Sequence, residues 1–268
     1  MSGVRLAEVF ANARGEGRAA LIGYLPAGFP TVDGSVALLR AMIESGCDVV
    51  EVGLPYSDPL MDGPVIQAAV DIALAEGTTP DSVLSVVSRV SDAGAATLVM
   101  SYWNPIERYG VTRFAQSLAA AGGTGAITPD LTPEEAAAWH DATDVAGIDR
   151  VFLVAPSSTP QRLARVCAEC SGFVYAASMM GVTGTRSTLS GSAESLVTRV
   201  REHTTLPIAV GVGVSSPEQA AQVAGFADGV IVGSAFVRRV LDADSLEAAV
   251  SSVAQLASDL ALGVRQGN

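Results

Sequence analysis

Acidic residues are concentrated in the stretch VEVGLPYSDPLMDGP, residues 50–64. Glu51 lies inside a β-branched apolar run, where an ionised carboxylate without a partner is costly to bury. Burial raises the pKa of a carboxyl group, and such a group can donate and accept protons near neutral pH. Glu51 is therefore either a structural anomaly or a candidate general acid and base. Asp62 follows as a second carboxylate in a loop-like segment.

Two other charged residues near these motifs have simpler structural interpretations. In Ser57-Asp58-Pro59 an aspartate precedes a proline, which is the pattern of a type I turn. Arg186, in the sequence GTR, fits a solvated charge on a loop. We expect neither side chain to act directly in catalysis.

Several kinds of catalysis are disfavoured by the residues that the chain lacks. All sixteen basic residues are arginine, so a Schiff base on a lysine is excluded. His140 and His203 fall in helical segments away from the predicted loops, which disfavours a histidine-based metal site. Cys167 and Cys170 form CAEC in a helical pattern, and a structural role is favoured over redox or metal binding because nothing completes four ligands. We predict no metal.

Charge and hydropathy patterning limit the class of protein. The net charge is −12 and no basic stripe is present, so nucleic acid is not an expected partner. The chain lacks a run of about 18 apolar residues, and MSGVRLAEVF lacks the apolar core of a signal peptide. We expect a soluble, cytoplasmic protein. Its 268 residues suit one α/β barrel, which typically takes about 250.

Eight short β-prone runs recur along the chain, and a helical stretch follows each of them. The runs are mostly apolar throughout, as expected for parallel strands covered on both faces. Helix starts are indicated at Thr132-Pro133, Thr159-Pro160 and Ser216-Pro217. We predict an α/β fold: a single (β/α)8 TIM barrel with extra short helices in the βα loops, forming one catalytic domain over residues 1–268. A doubly wound open sheet is the alternative. The predicted strands are residues 19–25, 48–54, 96–102, 125–128, 150–155, 173–178, 207–212 and 229–234.

This fold would place the acidic residues at the mouth of the barrel. In TIM-barrel enzymes the chemistry lies at the C-terminal ends of the strands. Glu51 is near the end of the second predicted strand, and Asp62 is in the loop that follows it. We therefore expect Glu51 to point into the mouth and not into a sealed core.

Three glycine-rich turns follow later strands, at residues 181–184, 211–213 and 233–235. Glycine allows the backbone to approach a ligand closely, and a helix N-terminus offers free N–H groups and a favourable dipole to an anion. Barrels often bind phosphate after strands 7 and 8. Tight turns without a ligand are the alternative for any one of them. Three such turns at strand ends favour a phosphate site.

Seven stretches together carry a family resemblance: VEVGLPYSDPLMDGP, YLPAGFP, SYWNPIERYG, ITPDL, APSSTP, GVTGTR and GVGVSSPEQ. With them the chain closely resembles the tryptophan synthase α subunit from about residue 5 to residue 255. The resemblance implies retro-aldol cleavage of indole-3-glycerol phosphate to indole and glyceraldehyde 3-phosphate, the α reaction of L-tryptophan biosynthesis. It implies a lyase in which Glu51 and Asp62 are catalytic.

The same match implies a set of substrate-binding residues. Thr183 corresponds to the threonine of a mobile loop after strand 6, which contacts the catalytic aspartate. The phosphate-binding residues would be Gly184, Gly213, Gly233 and Ser234. The indole pocket would be lined by Tyr24, Met100, Tyr102, Ile127, Leu153 and Tyr175.

The resemblance also implies a partner. The family works as an αββα heterotetramer whose β subunit holds pyridoxal phosphate and consumes indole delivered through a tunnel. No cofactor is then expected on this chain. Predicted loops on the catalytic face carry apolar residues that a partner could cover. These are Pro55, Tyr56, Pro59, Leu60 and Pro129.

Two other functions remain as alternatives. One is a different phosphate-binding barrel enzyme of the same pathway. Indole-glycerol-phosphate synthase needs a catalytic lysine, which this chain lacks, and the phosphoribosylanthranilate isomerase type lacks the ExGxPYSDPxxDG pattern. The other is a non-catalytic or partner-activating subunit, which the presence of both Glu51 and Asp62 disfavours.

Overall fold

The computed structural model describes residues 4–177 and 186–267. Its sheet consists of nine strand segments, and every pairing between them is parallel. The strands are β1 Ala20–Pro26, β2 Val49–Gly53, β3 Ala96–Met100, β4 Gly125–Ile127, β5 Asp149–Val151, β6 Leu153–Val154, β7 Val174–Ala177, β8 Ile208–Gly211 and β9 Gly229–Val232. The eight predicted strands are all present.

The sheet closes on itself. Its pairing order is β5-β4-β3-β2-β1-β9-β8-β7-β6. The two end segments, β5 and β6, are separated in sequence by Phe152 alone, so they form one interrupted barrel strand. The predicted (β/α)8 TIM barrel is confirmed, and the open doubly wound sheet is wrong.

Twelve helices are described around and beside this barrel, with their bounds as follows. They are α1 Leu6–Gly15, α2 Val32–Glu44, α3 Pro64–Ala75, α4 Pro80–Val90, α5 Trp103–Tyr109, α6 Val111–Ala120, α7 Ala137–Ala146, α8 Pro160–Glu169, α9 Arg186–Arg201, α10 Pro217–Ala224, α11 Ser234–Leu241 and α12 Leu246–Arg265. Helices α3, α5 and α11 are additional, because each precedes the second helix of its βα unit. The predicted extra helices in the βα loops are thus confirmed.

Side-chain caps explain several helix starts. The Thr159 hydroxyl accepts a hydrogen bond from the Arg162 N–H, and Ser216 caps α10 in the same way. The start predicted at Thr132 is wrong. Its hydroxyl donates to the Glu135 carboxylate at 2.8 Å within a turn, and α7 begins only at Ala137. A side chain that is already engaged with Glu135 does not cap the helix.

Helix α1 closes the end of the barrel at which the strands begin. Helix α1 packs Leu6 and Phe10 against the inward-facing residues of the strands, which include Ile22, Val49 and Ile231. Because side chains alternate along a strand, the residues two positions further on also point inward, one layer closer to the mouth. Among the described residues no helix is long and apolar enough to cross a membrane.

Candidate active site

A cavity of about 550 Å³ opens at the C-terminal ends of the strands. The floor of the cavity follows from the alternation of side chains along each strand. Ile22 and Val49 point into the closed interior of the barrel, which we call the sealed layer. Tyr24 and Glu51, two positions further along β1 and β2, lie in the layer above it and line the cavity. The predicted residues among its lining are Tyr24, Glu51, Asp62, Met100, Leu153, Tyr175, Gly213, Gly233 and Ser234. The structure thus gathers residues from strands at both halves of the barrel into one site.

Glu51 occupies the centre of β2, where it is only 1% exposed. Tyr24 of β1 and Leu98 of β3 are its register partners on the neighbouring strands. Among the described residues its Oε1 atom has no hydrogen-bond partner. Burial therefore raises the pKa of the Glu51 carboxyl group to about 8. Near neutral pH this group can both hold a proton and release one.

Asp62 also lines the cavity, on the loop that leads into α3. It is half-buried, and burial raises the pKa of its carboxyl group. The Tyr102 hydroxyl donates a hydrogen bond of 3.1 Å to Asp62 Oδ1, and that bond lowers the pKa. The two effects oppose each other. Asp62 consequently has a polar partner that Glu51 lacks.

Tyr102 does not line the cavity, although the sequence predicts that it contacts indole. Its hydroxyl donates to Asp62 and accepts from the Met61 backbone N–H at 3.0 Å. Its ring packs on Tyr56 with 5.6 Å between centroids, and the Tyr56 hydroxyl accepts from the Asn104 amide at 3.1 Å. Tyr102 therefore joins the loop of Asp62 to the start of α5.

Ile127 is the other predicted pocket residue outside the cavity lining. It is fully buried and belongs to the sealed layer with Leu98 and Val151. β4 is only three residues long, and Ile127 is its last residue. A strand that ends at this depth has no inward-facing position in the layer above.

Two tyrosines form the walls of the cavity. Tyr24 and Tyr175 are deeply set, and burial raises the pKa of both phenol groups well above the ordinary value, so both stay neutral. A Cβ atom on Gly53 would collide with the Tyr24 ring, and one on Gly211 would lie 2.6 Å from the Tyr175 Oη atom. Nothing in the sequence alone indicated this use of the two strand-end glycines. The absence of a Cβ atom at these glycines leaves room for the two tyrosine side chains.

Backbone turns that follow β8 and β9 form another part of the cavity wall. Gly213 has φ +75°, a conformation that favours glycine. Gly233 precedes α11, whose first residue is Ser234. Arg238, four residues further along α11, also lines the cavity, and sequence analysis missed it. Its only sequence signal is the four-residue spacing from Ser234, which places both on one helix face.

Some sequence predictions fall outside this site. Thr183 and Gly184 lie outside the described residues. Asp58 is exposed and accepts a hydrogen bond of 2.6 Å from the Ser57 hydroxyl, in line with a turn. Within residues 4–177 and 186–267, no cluster of three or more His, Cys, Asp or Glu side chains could hold a metal ion.

The described geometry suits acid–base chemistry on a flat apolar group that carries an anion. The buried carboxyl of Glu51 and the half-buried carboxylate of Asp62 lie on the same cavity, between aromatic walls. The turn at Gly233 and the N-terminus of α11 lie on the same cavity, where free N–H groups favour an anion.

Comparisons with known proteins all match one family, and each match covers nearly the whole chain. A family model described as tryptophan synthase alpha chain matches residues 10–265. The tryptophan synthase alpha chain of Thermobifida fusca is 63% identical over 258 residues, covering 95% of this chain and 96% of that protein. The Streptomyces avermitilis protein of the same name is 56% identical over 267 residues, covering 99% and 96%. A solved structure of Mycobacterium tuberculosis tryptophan synthase has a TM-score of 0.91 and 52% identity, covering 98% of this chain and 99% of that one.

Proposed function

This chain belongs to the tryptophan synthase alpha chain family, and we propose that it catalyses the α reaction of L-tryptophan biosynthesis. In that reaction indole-3-glycerol phosphate is cleaved to indole and glyceraldehyde 3-phosphate. The observation that carries the proposal is the buried carboxyl group of Glu51, whose pKa of about 8 suits proton transfer, beside Asp62 in one cavity. The resemblance seen in the sequence is confirmed at the level of the family.

Glu51 acts as the proton shuttle. Its protonated carboxyl group delivers a proton to C3 of the indole ring, which converts the ring to an indolenine cation that can accept electrons. The resulting carboxylate takes the proton of the glycerol 3′-hydroxyl as the carbon–carbon bond breaks. The bonding electrons restore the aromatic ring, an aldehyde forms, and Glu51 is protonated again.

Asp62 stabilises the charge that develops during this step. Positive charge appears at the ring nitrogen of the indolenine, and a fixed carboxylate facing that N–H lowers the energy of the transition state. The hydrogen bond from Tyr102 favours the ionised form of Asp62, which is the form that this role needs. We propose Thr183 as a further partner of Asp62, on the family resemblance alone.

The glycine turns bind the substrate's phosphate group. Gly213 and Gly233 allow close backbone approach, and Ser234 offers a hydroxyl group and the N-terminus of α11. We include Gly184 in this set on the family resemblance. The ring of the substrate would then lie between the tyrosine walls, with its C3 atom toward Glu51.

A β subunit is the proposed partner, in an αββα heterotetramer. The solved relatives include tryptophan synthase from M. tuberculosis, described in an aminoacrylate-bound form. On the loop before α3, Leu60 is 78% exposed and Met61 is 42% exposed, so apolar surface is available beside the cavity. Pro55, also predicted as contact surface, is buried.

The family assignment is consistent with a reaction that needs no cofactor on this chain. We propose that pyridoxal phosphate is held by the β subunit alone. One catalytic domain over residues 1–268 and a cytoplasmic location both stay predictions from the sequence.

A direct assay tests the proposed function. Indole release from indole-3-glycerol phosphate is followed spectroscopically, with the chain alone and with the β subunit added. We expect indole and glyceraldehyde 3-phosphate in equal amounts, with faster release when the β subunit is present. If substrate binds but no indole appears under either condition, the chain is a non-catalytic subunit and the proposal is wrong.

A further inference from the structure

Arg238 lies where two cavities meet. It lines the active-site cavity, and it also lines a second cavity of about 730 Å³ on the outer side of α11. Gly213 and Ser234 are shared by both cavities as well. Residues four apart lie on the same face of a helix, and helical side chains lean toward the N-terminus. Arg238 therefore shares a face of α11 with Ser234, the first residue of the helix.

The Arg238 side chain also has no hydrogen-bond or ion-pair partner among the residues that the structure describes. Among the side chains that the structure describes, most arginines make a hydrogen bond, an ion pair or a ring contact, as Arg18 does with Asp48. Arg108, Arg238 and Arg239 make none in the described parts of the chain. Asp242 and Asp244 line the outer cavity, yet neither forms an ion pair with Arg238 within the described residues.

The charge of the whole chain makes an unpaired cation at this place informative. The formal net charge is −12 and no lysine is present, so a phosphate ester approaches a protein of its own sign. Backbone N–H groups at a turn carry only partial charges. A guanidinium group supplies a full positive charge and several donors in a fork that matches phosphate oxygens.

We propose that Arg238 is a further substrate-binding residue. Its guanidinium group contacts the phosphate group of indole-3-glycerol phosphate from the side of the second cavity. The proposal rests on the proposed function and adds one charged side chain to a site otherwise made of backbone N–H groups and the Ser234 hydroxyl group. Arg239, on the neighbouring face of α11, lines only the outer cavity. It therefore takes no part in binding the phosphate.

The test compares three variants of the full chain with the β subunit present. Arg238→Gln should raise KM for indole-3-glycerol phosphate about tenfold and leave kcat within about twofold, since a charged hydrogen bond to bound substrate is lost. Arg238→Lys should recover part of the loss because the charge is kept. Arg239→Gln is the matched control, with KM within about twofold of wild type.

Affinity for product fragments gives a readout that a structural defect would not reproduce. Glyceraldehyde 3-phosphate binding should weaken about tenfold in Arg238→Gln, while binding of indole should be unchanged. An equal rise of KM in Arg238→Gln and Arg239→Gln would overturn the proposal, because it would show only a long-range effect of net charge. An unchanged KM in Arg238→Gln would also overturn it.

A failure of the proposed function can be distinguished from a failure of the proposal for Arg238. If the wild-type chain releases no indole, inorganic phosphate binding is measured by calorimetry on wild type, Arg238→Gln and Arg239→Gln. Weaker binding in Arg238→Gln alone supports the site even then. Equal binding by all three proteins rejects it.

Discussion

The two sides of the active-site cavity work in different ways. On the side of β1–β3, function depends on side chains, namely the carboxyl groups of Glu51 and Asp62 and the hydroxyl group of Tyr102. On the side of β8 and β9, function depends on backbone that Gly213 and Gly233 leave uncovered. In the proposed mechanism the first side handles protons and charge in the transition state, and the second binds the phosphate group, which does not react. Substitutions on the first side should alter kcat, and those on the second should alter KM.

The two carboxyl groups on the first side also differ from each other. Glu51 is fixed in a strand, is 1% exposed, and depends on burial alone for its raised pKa. Asp62 is on a loop, is half-buried, and receives a hydrogen bond from Tyr102 that opposes the effect of burial. Burial keeps one group protonated and a donor helps keep the other ionised. These two environments suit the different roles proposed for the two carboxyl groups.

The largest expected effect comes from Glu51→Gln. The amide has nearly the same shape but cannot shuttle a proton, so kcat should fall by at least about 10²-fold while substrate binding is roughly retained. Steady-state rates of indole release, with binding measured separately, check this. Asp62→Asn should also lose activity, but its residual pH profile should still report Glu51. Activity of Glu51→Gln within a few-fold of wild type would remove Glu51 from the mechanism.

The same substitution should stabilise the fold at neutral pH. The pKa of Glu51 is raised from 4.5 to about 8 on folding. Below pH 4.5 the group is protonated in both states, and between pH 4.5 and about 8 only the unfolded chain ionises. The free energy of unfolding of the wild type therefore falls as pH rises through this window. Glu51→Gln removes the dependence, and its advantage should be on the order of 3 kcal/mol at pH 7.

Urea unfolding at several pH values measures this advantage. It should vanish near pH 4.5 and level off above pH 8, the limits set by the two pKa values. Asp62→Asn is the matched control, since its group is half-exposed and hydrogen-bonded, and its stability should depend less on pH. A constant difference between Glu51→Gln and wild type at all pH values would show that Glu51 ionises normally in the folded protein.

On the side of β8 and β9, Gly233→Ala tests phosphate binding with less disturbance of the fold than a substitution of Gly213. An added Cβ would lie 3.4 Å from the Tyr24 ring, an ordinary contact, so the fold should tolerate it. It should nevertheless obstruct the approach of a phosphate, raising KM and weakening glyceraldehyde 3-phosphate binding about tenfold. Gly213 is a poorer choice because its φ of +75° makes any substitution strained. Weakened binding of indole itself would show that the alanine disturbs the whole cavity.

The same contrast explains what the sequence could predict. Glu51 was identifiable because a carboxylate in an apolar strand is anomalous, and the eight apolar runs with helices between them were sufficient for the barrel. Glycine turns at strand ends led to the proposal of a phosphate site, which stays a prediction. The depth of a residue was not predictable: Ile127 is sealed in the core because β4 is short, which depends on how strands tilt and end.

Side-chain contacts between residues far apart in the sequence could not be predicted either. Tyr102 and Asp62 are 40 residues apart, and their contact depends on how the loop before α3 settles on the start of α5. The spacing of Gly53 and Gly211 from Tyr24 and Tyr175 is likewise a product of strand register. Types of residue can be recognised locally, whereas their partners are decided by tertiary packing.

The smallest expected effect, and the one that tests how Asp62 is controlled, comes from Tyr102→Phe. This change removes the hydroxyl group that donates to Asp62 and accepts from the Met61 N–H. Because that donor lowers the pKa of Asp62, its loss should raise the pKa and move the acidic limb of kcat/KM to higher pH. At pH 7 kcat should fall about fivefold, the equivalent of one ordinary hydrogen bond. Tyr56→Phe is the control, since it alters the neighbouring ring but no contact of Asp62, and its acidic limb should match wild type. If Tyr102→Phe lost activity equally at every pH, Tyr102 would support the loop without tuning the carboxylate.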